Sequence, residues 1–240
     1  MFPIGDEHNG RLLTPYVNYT LIAINIVVFL YQLLLPEPEL LEFIFRWGAI
    51  PAEISQGQDL FGLVSSMFLH GGWLHIAGNM LFLWVFGDNV EDTMGHVSYL
   101  LFYLLTGLAA GLAQVVIDSG SQIPLVGASG AISGVLGAYI MLFPHGRIRT
   151  LVFLGFFITV VLIPAWVQIG LWIVLQFFNG FASLGVRTEE SGGVAYWAHI
   201  GGFIAGAALV WLFRDQDAVD RQRAARAGNQ SWQRVSMGQR

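Results

Sequence analysis

Long apolar stretches alternate with short polar segments along most of this chain. A helix that crosses the hydrocarbon core of a bilayer needs about 20 apolar residues. The pattern predicts six membrane-spanning helices, at about residues 17–35, 72–88, 97–117, 129–143, 165–183 and 194–213. Residues 1–16 form a short cytosolic N-terminus, residues 17–213 a membrane domain, and residues 214–240 a polar tail. We therefore expect an all-α polytopic membrane protein, with the tail as a disordered cytosolic end.

Two segments do not fit a simple span. Residues 150–183 carry no formal charge, which is too long a stretch for one span and marginal for two, and Pro164 interrupts it. We assign 165–183 as the fifth span and expect residues 151–163 to lie against the inner interface. Residues 36–69 mix acidic residues with apolar pairs, which predicts short amphipathic pieces at a membrane surface.

Composition supports the membrane assignment. Hydrophobic residues make up 55% of the chain and charged residues 11%, whereas a soluble domain has about 25% charged residues. The net charge is -5, and acidic and basic residues occupy different loops, so no basic face for nucleic acid is expected. The chain has no Cys, which leaves its redox compartment undetermined.

The cations predict the orientation. With six spans, Arg46 and Arg187 lie on one side, and nine arginines share the other: Arg11, Arg147, Arg149, Arg214, Arg221, Arg223, Arg226, Arg234 and Arg240. Because positive charge stays inside, both termini are predicted to be cytoplasmic. The N-terminus shows no transit peptide, so we expect a bacterial inner membrane.

The predicted spans contain few polar residues. Their apolar cores lack Asp, Glu, Lys and Arg, which disfavours ion-coupled transport. The exceptions are His75 and Asn79 on the second span, Ser129 at the start of the fourth and His199 on the sixth. All three spans enter from the outer side, so these four residues are expected to meet near the outer surface.

Ser129 and His199 form a candidate catalytic pair. Ser129 lies between Gly127 and Gly130 at a predicted helix start, where free N–H groups favour an oxyanion. Alone, such a serine is more often a packing residue, and a lone histidine more often bonds a carbonyl. Small-residue stripes, with Gly130, Gly134 and Gly137 on one span and Gly202 and Gly206 on the other, would bring the two helices close.

Together the pair would act as nucleophile and general base. The spans offer no carboxylate for a triad, so we predict a dyad. His75 and Asn79, four residues apart, share a helix face and can donate hydrogen bonds to an oxyanion together with the Ser129 N–H; hydrogen bonding between helices is the alternative. HExxH is absent at residues 75–79, so we expect no metal and no cofactor.

These residues resemble the motifs of the rhomboid family of intramembrane serine proteases, over about residues 14–213. The similar segments are Gly127-Ala128-Ser129-Gly130; Ala198-His199-Ile200-Gly201-Gly202; His70 through His75 to Asn79; and Gly87, Glu91 and Gly95. The resemblance implies a six-helix rhomboid-like bundle that cleaves single-span membrane proteins in or near the outer end of their helix.

The resemblance also implies residue roles. Ser129 would be the nucleophile, His199 the base, His75 and Asn79 oxyanion donors, and His70 part of a polar vestibule beside Gly127. Glu91 would be structural. Many members have an aromatic residue four positions after the serine, where this chain has Ser133, so what holds the imidazole is an open question. Arg46-Trp47 reverses the Trp-Arg pair of some members.

The sequence is compatible with three functions to different degrees. A protease explains Ser129, His199 and the donor pair. A non-catalytic relative would use the same fold to bind membrane helices, but such relatives typically lack the serine or the histidine. A small-solute transporter is disfavoured by the charge-free spans and the lack of repeat symmetry. The expected partners are substrate helices and the lipid bilayer.

Overall fold

The computed structural model describes residues 2–6, 10–154, 157–184 and 194–237, with only the backbone at residues 154 and 228–237. The fold is mostly helical, and each of the six predicted spans lies on one helix. A short 3-10 turn, Ser66–Phe68, precedes the second of these. In chain order the helices are α1 (Tyr16–Leu34), α2 (Glu37–Trp47), α3 (Pro51–Ile54), α4 (Gly62–Ser65), α5 (Trp73–Met94), α6 (His96–Ile117), α7 (Ser129–Leu142), α8 (Ala165–Ser183), α9 (Tyr196–Phe213) and α10 (Gln216–Met237).

Four of the described helices have the length and composition of membrane spans: α1, α6, α8 and α9. α7 is apolar but has only 14 residues. α5 has 22 residues, and its second half carries the buried acids Asp88, Glu91 and Asp92. The exact count of six crossings therefore stays a prediction.

α7 lies at the centre of the bundle, packed against α5, α6 and α9. All residues from Ala131 to Tyr139 are buried, and Phe86 of α5 packs against Tyr139 with ring centroids 5.0 Å apart. A 14-residue helix is about 21 Å long, shorter than a hydrocarbon core of about 30 Å. One end of α7 must therefore lie inside the bundle rather than at its surface.

The all-α prediction is wrong in one region. β1 (Phe2–Asp6), β2 (Arg147–Leu154) and β3 (Phe157–Pro164) form an antiparallel sheet in the order β1-β2-β3. The β2–β3 segment is rich in β-branched and aromatic residues, which favour strands, and Pro164 ends it where α8 begins. Hydropathy alone cannot distinguish such short apolar strands from helix. The position of this hairpin at the inner interface stays a prediction.

The prediction of a disordered tail is also wrong for the described residues. α10 is an amphipathic helix whose first half is buried at Val219 and Gln222. Arg221 and Gln222 donate hydrogen bonds to Asp92 at 2.9 and 2.7 Å. The polar side chains that suggested disorder instead form hydrogen bonds with an acidic residue at the end of α5.

The acids at the end of α5 also anchor the N-terminal segment. Glu91 accepts hydrogen bonds from the N–H groups of Val17 and Asn18, at 3.0 and 2.7 Å. These are free donors of the first turn of α1, whose N-cap residue offers no side-chain acceptor. Glu91 is fully buried and thus has a structural role.

The two ends of the bundle differ in chemistry. The N-terminal strand, the sheet, α10 and the last turns of α5 and α7 gather at one end, linked by ion pairs such as Arg11–Asp88 and Arg226–Asp6. The first turns of α5, α7 and α9, which carry the candidate residues, lie at the opposite end.

Candidate active site

The structure brings Ser129 and His199 into hydrogen-bond contact. Ser129 is the first residue of α7, and His199 lies in the first turn of α9. The Ser129 Oγ and His199 Nε2 atoms are 2.8 Å apart, although the residues are 70 positions apart in sequence. Hydroxyl and imidazole are therefore placed for direct proton transfer.

Close helix packing produces this contact. A methyl group at Gly202 would overlap the carbonyl oxygen of Gly130, and one at Gly206 would overlap that of Gly134. One at Gly137 would meet the backbone of α9 at Phe203. The backbones of α7 and α9 thus touch directly along the predicted small-residue stripes, as expected for membrane helices that pack through glycine.

Two residues of α8 hold the imidazole, and the sequence reasoning missed both. Gln176 Oε1 lies 2.9 Å from His199 Nδ1. The Trp172 ring lies beside the imidazole, with centroids 5.9 Å apart and planes inclined by 37°. The available signal was the spacing of Ile169, Ile173 and Gln176, which places the glutamine on the buried stripe of an apolar helix.

Ser133 does not replace the missing aromatic residue. Its hydroxyl donates a 2.6 Å hydrogen bond to the carbonyl oxygen of Ser129, one turn earlier in α7. Support for the imidazole comes from Trp172 on α8 instead of from α7. The open question raised by position 133 therefore has a structural answer.

His75 and Asn79 face the backbone just before Ser129. Gly127 has φ +125°, a conformation that disfavours side chains, and a Cβ there would lie 2.7 Å from His75 Nε2 and 3.6 Å from Asn79 Nδ2. The Gly71 N–H donates to His75 Nδ1 at 3.4 Å. A neutral His75 then carries its proton on Nε2, the atom that faces this backbone.

His70 lies behind Asn79 in the loop before α5. Its Nε2 is 2.9 Å from Asn79 Nδ2, and its backbone is held by both polar atoms of Gln32. Burial, together with the nearby His75, lowers the pKa of His70 from 6.5 to about 3. A neutral His70 can accept one N–H of Asn79 and leave the other N–H for a ligand.

A cavity of about 870 Å³ lies over the pair. Its walls come from the start of α5, the loop before α7, Trp172 of α8 and the residues that precede α9. Ser129, His199, His75 and Asn79 all line it. Within the described ranges, no three His, Asp or Glu side chains group closely enough to hold a metal ion.

A helical bundle with a serine–histidine pair in such a cavity is the arrangement expected from the resemblance to intramembrane serine proteases. The Rhomboid domain family matches residues 57–216. This match covers more than half of the chain, so the chain belongs to the rhomboid family. Family membership and the apolar helices make it an integral membrane protein.

Individual relatives agree. Rhomboid protein 1, mitochondrial, of Saccharomyces cerevisiae is 28% identical over 213 residues, 87% of this chain and 56% of that protein. Rhomboid protease GluP of Bacillus subtilis is 32% identical over 201 residues, 84% of this chain and 36% of that protein. Rhomboid protease AarA of Providencia stuartii is 31% identical over 137 residues, 51% of this chain and 49% of that protein. The chain thus spans about half the length of these relatives, or less.

Proposed function

We propose that this chain is an intramembrane serine endopeptidase that cleaves single-span membrane proteins in or near the outer end of the transmembrane helix. The observation that carries the proposal is the 2.8 Å contact between Ser129 Oγ and His199 Nε2 inside the cavity. Two relatives whose names describe them as rhomboid proteases support the same reaction class.

The proposed reaction begins at Ser129. His199 Nε2 takes the hydroxyl proton as Ser129 Oγ attacks the scissile carbonyl, which gives a tetrahedral intermediate and an imidazolium. The imidazolium then protonates the leaving amine, and an acyl-enzyme remains on Ser129. Water, deprotonated by the same imidazole, releases the acyl group and restores the serine.

The negative oxygen of the intermediate needs donors. We assign His75 Nε2, Asn79 Nδ2 and the backbone N–H of Ser129, which lies at the positive end of α7. Gly127 supports this assignment, because its positive φ and missing Cβ let the backbone just before Ser129 approach both side chains. Losing one such donor typically reduces kcat by about 10²- to 10³-fold.

The cavity supports a helical membrane substrate. Carbonyl groups within a transmembrane helix are hydrogen-bonded to their own chain and cannot enter the site. A segment with small or helix-breaking residues unwinds at lower cost and exposes the scissile carbonyl. We therefore expect cleavage where such residues stand near the outer end of the substrate helix.

We also propose six crossings with both termini in the cytoplasm. Arg11 and Arg221, from opposite ends of the chain, both contact acids at the end of α5 and so lie on one side of the bundle. The positive-inside rule makes that side cytoplasmic. The β2–β3 hairpin then lies at the inner interface, with Phe157, Val160 and Leu162 exposed towards lipid.

The experiment is cleavage of a tagged single-span substrate by the purified protein in liposomes. Ser129→Ala removes the nucleophile and should abolish cleavage. Ser183→Ala is the matched control, since that serine also lies in a membrane helix, at the far end of α8, where its hydroxyl donates to the Gly180 carbonyl oxygen at 2.8 Å. Cleavage by Ser129→Ala would refute the assignment of the nucleophile, and binding without cleavage by the unmodified protein would favour a non-catalytic helix-binding role.

A further inference from the structure

Gln176 contacts the histidine on the side away from the serine. It lies on the inward stripe of α8, one turn after Trp172, and its Oε1 is 2.9 Å from His199 Nδ1. The other imidazole nitrogen, Nε2, faces Ser129 Oγ at 2.8 Å. Ser129, His199 and Gln176 therefore form one continuous hydrogen-bonded chain across α7, α9 and α8.

We propose that Gln176 is the positioning residue of this site, a neutral third member that fixes the protonation pattern of His199. This inference rests on the proposed function, because it assigns Gln176 to the same proton transfer. It concerns a residue outside the serine, the histidine and the oxyanion donors.

A neutral imidazole carries its proton on either Nδ1 or Nε2. Only the form with the proton on Nδ1 leaves Nε2 free to accept the hydroxyl proton of Ser129. That form needs a hydrogen-bond acceptor at Nδ1, and the amide oxygen of Gln176 supplies one. The opposite amide rotamer would place an N–H donor there and select the unreactive form.

The contact also persists through the reaction. When Nε2 takes the serine proton, the imidazolium still donates from Nδ1 to Gln176 Oε1, now as a charge-assisted bond. Hydrogen bonds to charged groups are stronger than those between neutral groups. Gln176 thus stabilises the state that forms after proton transfer more than the resting state, which is the requirement for raising kcat.

An amide suits this location better than a carboxylate. Gln176 is half-buried in an apolar helix, where an ionised acid would be costly to insert. A glutamine keeps the acceptor without that cost, as asparagine does in the cysteine–histidine–asparagine proteases. The amide of Gln176 on α8 can therefore orient His199 on α9 although neither span carries a carboxylate at the site.

The first test reads the proton directly and needs no substrate. Nitrogen-15 NMR of histidine-labelled protein distinguishes the two neutral forms, and the His199→Gln variant identifies the signal of His199. We expect Nδ1 to carry the proton in the unmodified protein and the preference to be lost in Gln176→Leu. A resting His199 protonated on Nε2 would overturn the inference, whether or not the protein is active.

The second test uses the kinetics of Gln176→Leu and a matched variant, Gln168→Leu. Gln168 lies on the same helix and is buried, and its amide oxygen accepts a hydrogen bond from the hydroxyl of Thr150. We expect Gln176→Leu to lower kcat about 10- to 100-fold with little change in KM. We expect Gln168→Leu to retain the kcat of the unmodified protein.

The pH profile separates positioning from simple packing. Gln176→Glu places an acceptor with negative charge at Nδ1, which stabilises the imidazolium and should move the acidic limb of the profile to higher pH by about one unit. Gln176→Leu should move that limb to lower pH, and Gln168→Leu should leave it in place. If Gln176→Leu does not fold, the profile of Gln176→Glu decides.

The outcomes are distinguishable. Cleavage that is lost in Ser129→Ala but unchanged in Gln176→Leu would refute the role of Gln176 and leave the proposed function standing. Equal losses in Gln176→Leu and Gln168→Leu, with unshifted profiles, would refute it as well. Cleavage that survives in Ser129→Ala would refute the proposed function itself.

Discussion

The contact between α7 and α9 predicts that one added methyl group will separate Ser129 from His199. Gly206 lies two turns beyond His199, and Gly206→Ala adds such a methyl group. The new Cβ would lie 2.5 Å from the Cα of Gly134 and 2.6 Å from its carbonyl carbon, both backbone atoms that cannot rotate away. Ordinary carbon contacts are about 3.5–4.0 Å, so α9 must move outward by about 1 Å.

This displacement has two measurable costs. Overpacking a tight interface typically costs about 1–3 kcal/mol of stability. If half or more of the shift reaches His199, the 2.8 Å contact with Ser129 lengthens towards 3.5 Å, beyond good hydrogen-bond geometry. A misplacement of about 1 Å at a reacting group can reduce the rate about 100-fold.

The assay combines thermal unfolding in detergent with substrate cleavage. Gly170→Ala on α8 is the matched control, because a Cβ there would meet no atom within 4 Å. We expect Gly206→Ala to lose both stability and activity, and Gly170→Ala to keep both. If Gly206→Ala unfolds and cleaves like the unmodified protein, direct backbone contact does not set the position of His199.

Three other predictions follow from buried or exposed groups. Because the folded pKa of His70 is about 3 and its unfolded value 6.5, its contribution to stability is complete above pH 6.5 and is lost as pH falls towards 3. At pH 5.5 this effect lowers the free energy of unfolding by about 1.4 kcal/mol. Denaturant unfolding of His70→Gln should lack this part of the pH dependence. If the variant and the unmodified protein show the same pH dependence, the burial of His70 is contradicted. Asp92→Ala removes the carboxylate that accepts hydrogen bonds from Leu12, Leu13, Arg221 and Gln222. We expect it to lower the free energy of unfolding by about 3–5 kcal/mol and to speed proteolysis of α10. Asp217→Ala, at an exposed position, should have a small effect. Because the chain has no Cys, Val160→Cys can carry a single fluorescent label, and a lipid-soluble quencher should quench its emission. A label on the control variant Asp217→Cys should be quenched by a water-soluble reagent. If that reagent quenches the label at position 160 equally well, the hairpin does not lie at the interface.

The sequence by itself determined the helical plan and the candidate pair, Ser129 and His199. Span positions depend on the length and hydropathy of local segments, which residues such as Pro36 and Gly95 delimit without reference to the rest of the chain. The glycine stripes around Gly134 and Gly206 likewise predicted which two helices would touch. Ser129 and His199 could be paired because both lie at the start of spans that run in the same direction.

The tertiary structure decided what surrounds that pair. Gln168 and Gln176 are alike in sequence, two amides in one apolar helix, and only the rotation and depth of α8 against α9 place Gln176 at the imidazole. The order of the tail had the same origin, because Arg221 and Gln222 bond to Asp92 of α5 and Arg226 pairs with Asp6 of β1. Hydropathy is a property of each segment, whereas a hydrogen bond between helices depends on where two rigid helices lie relative to each other.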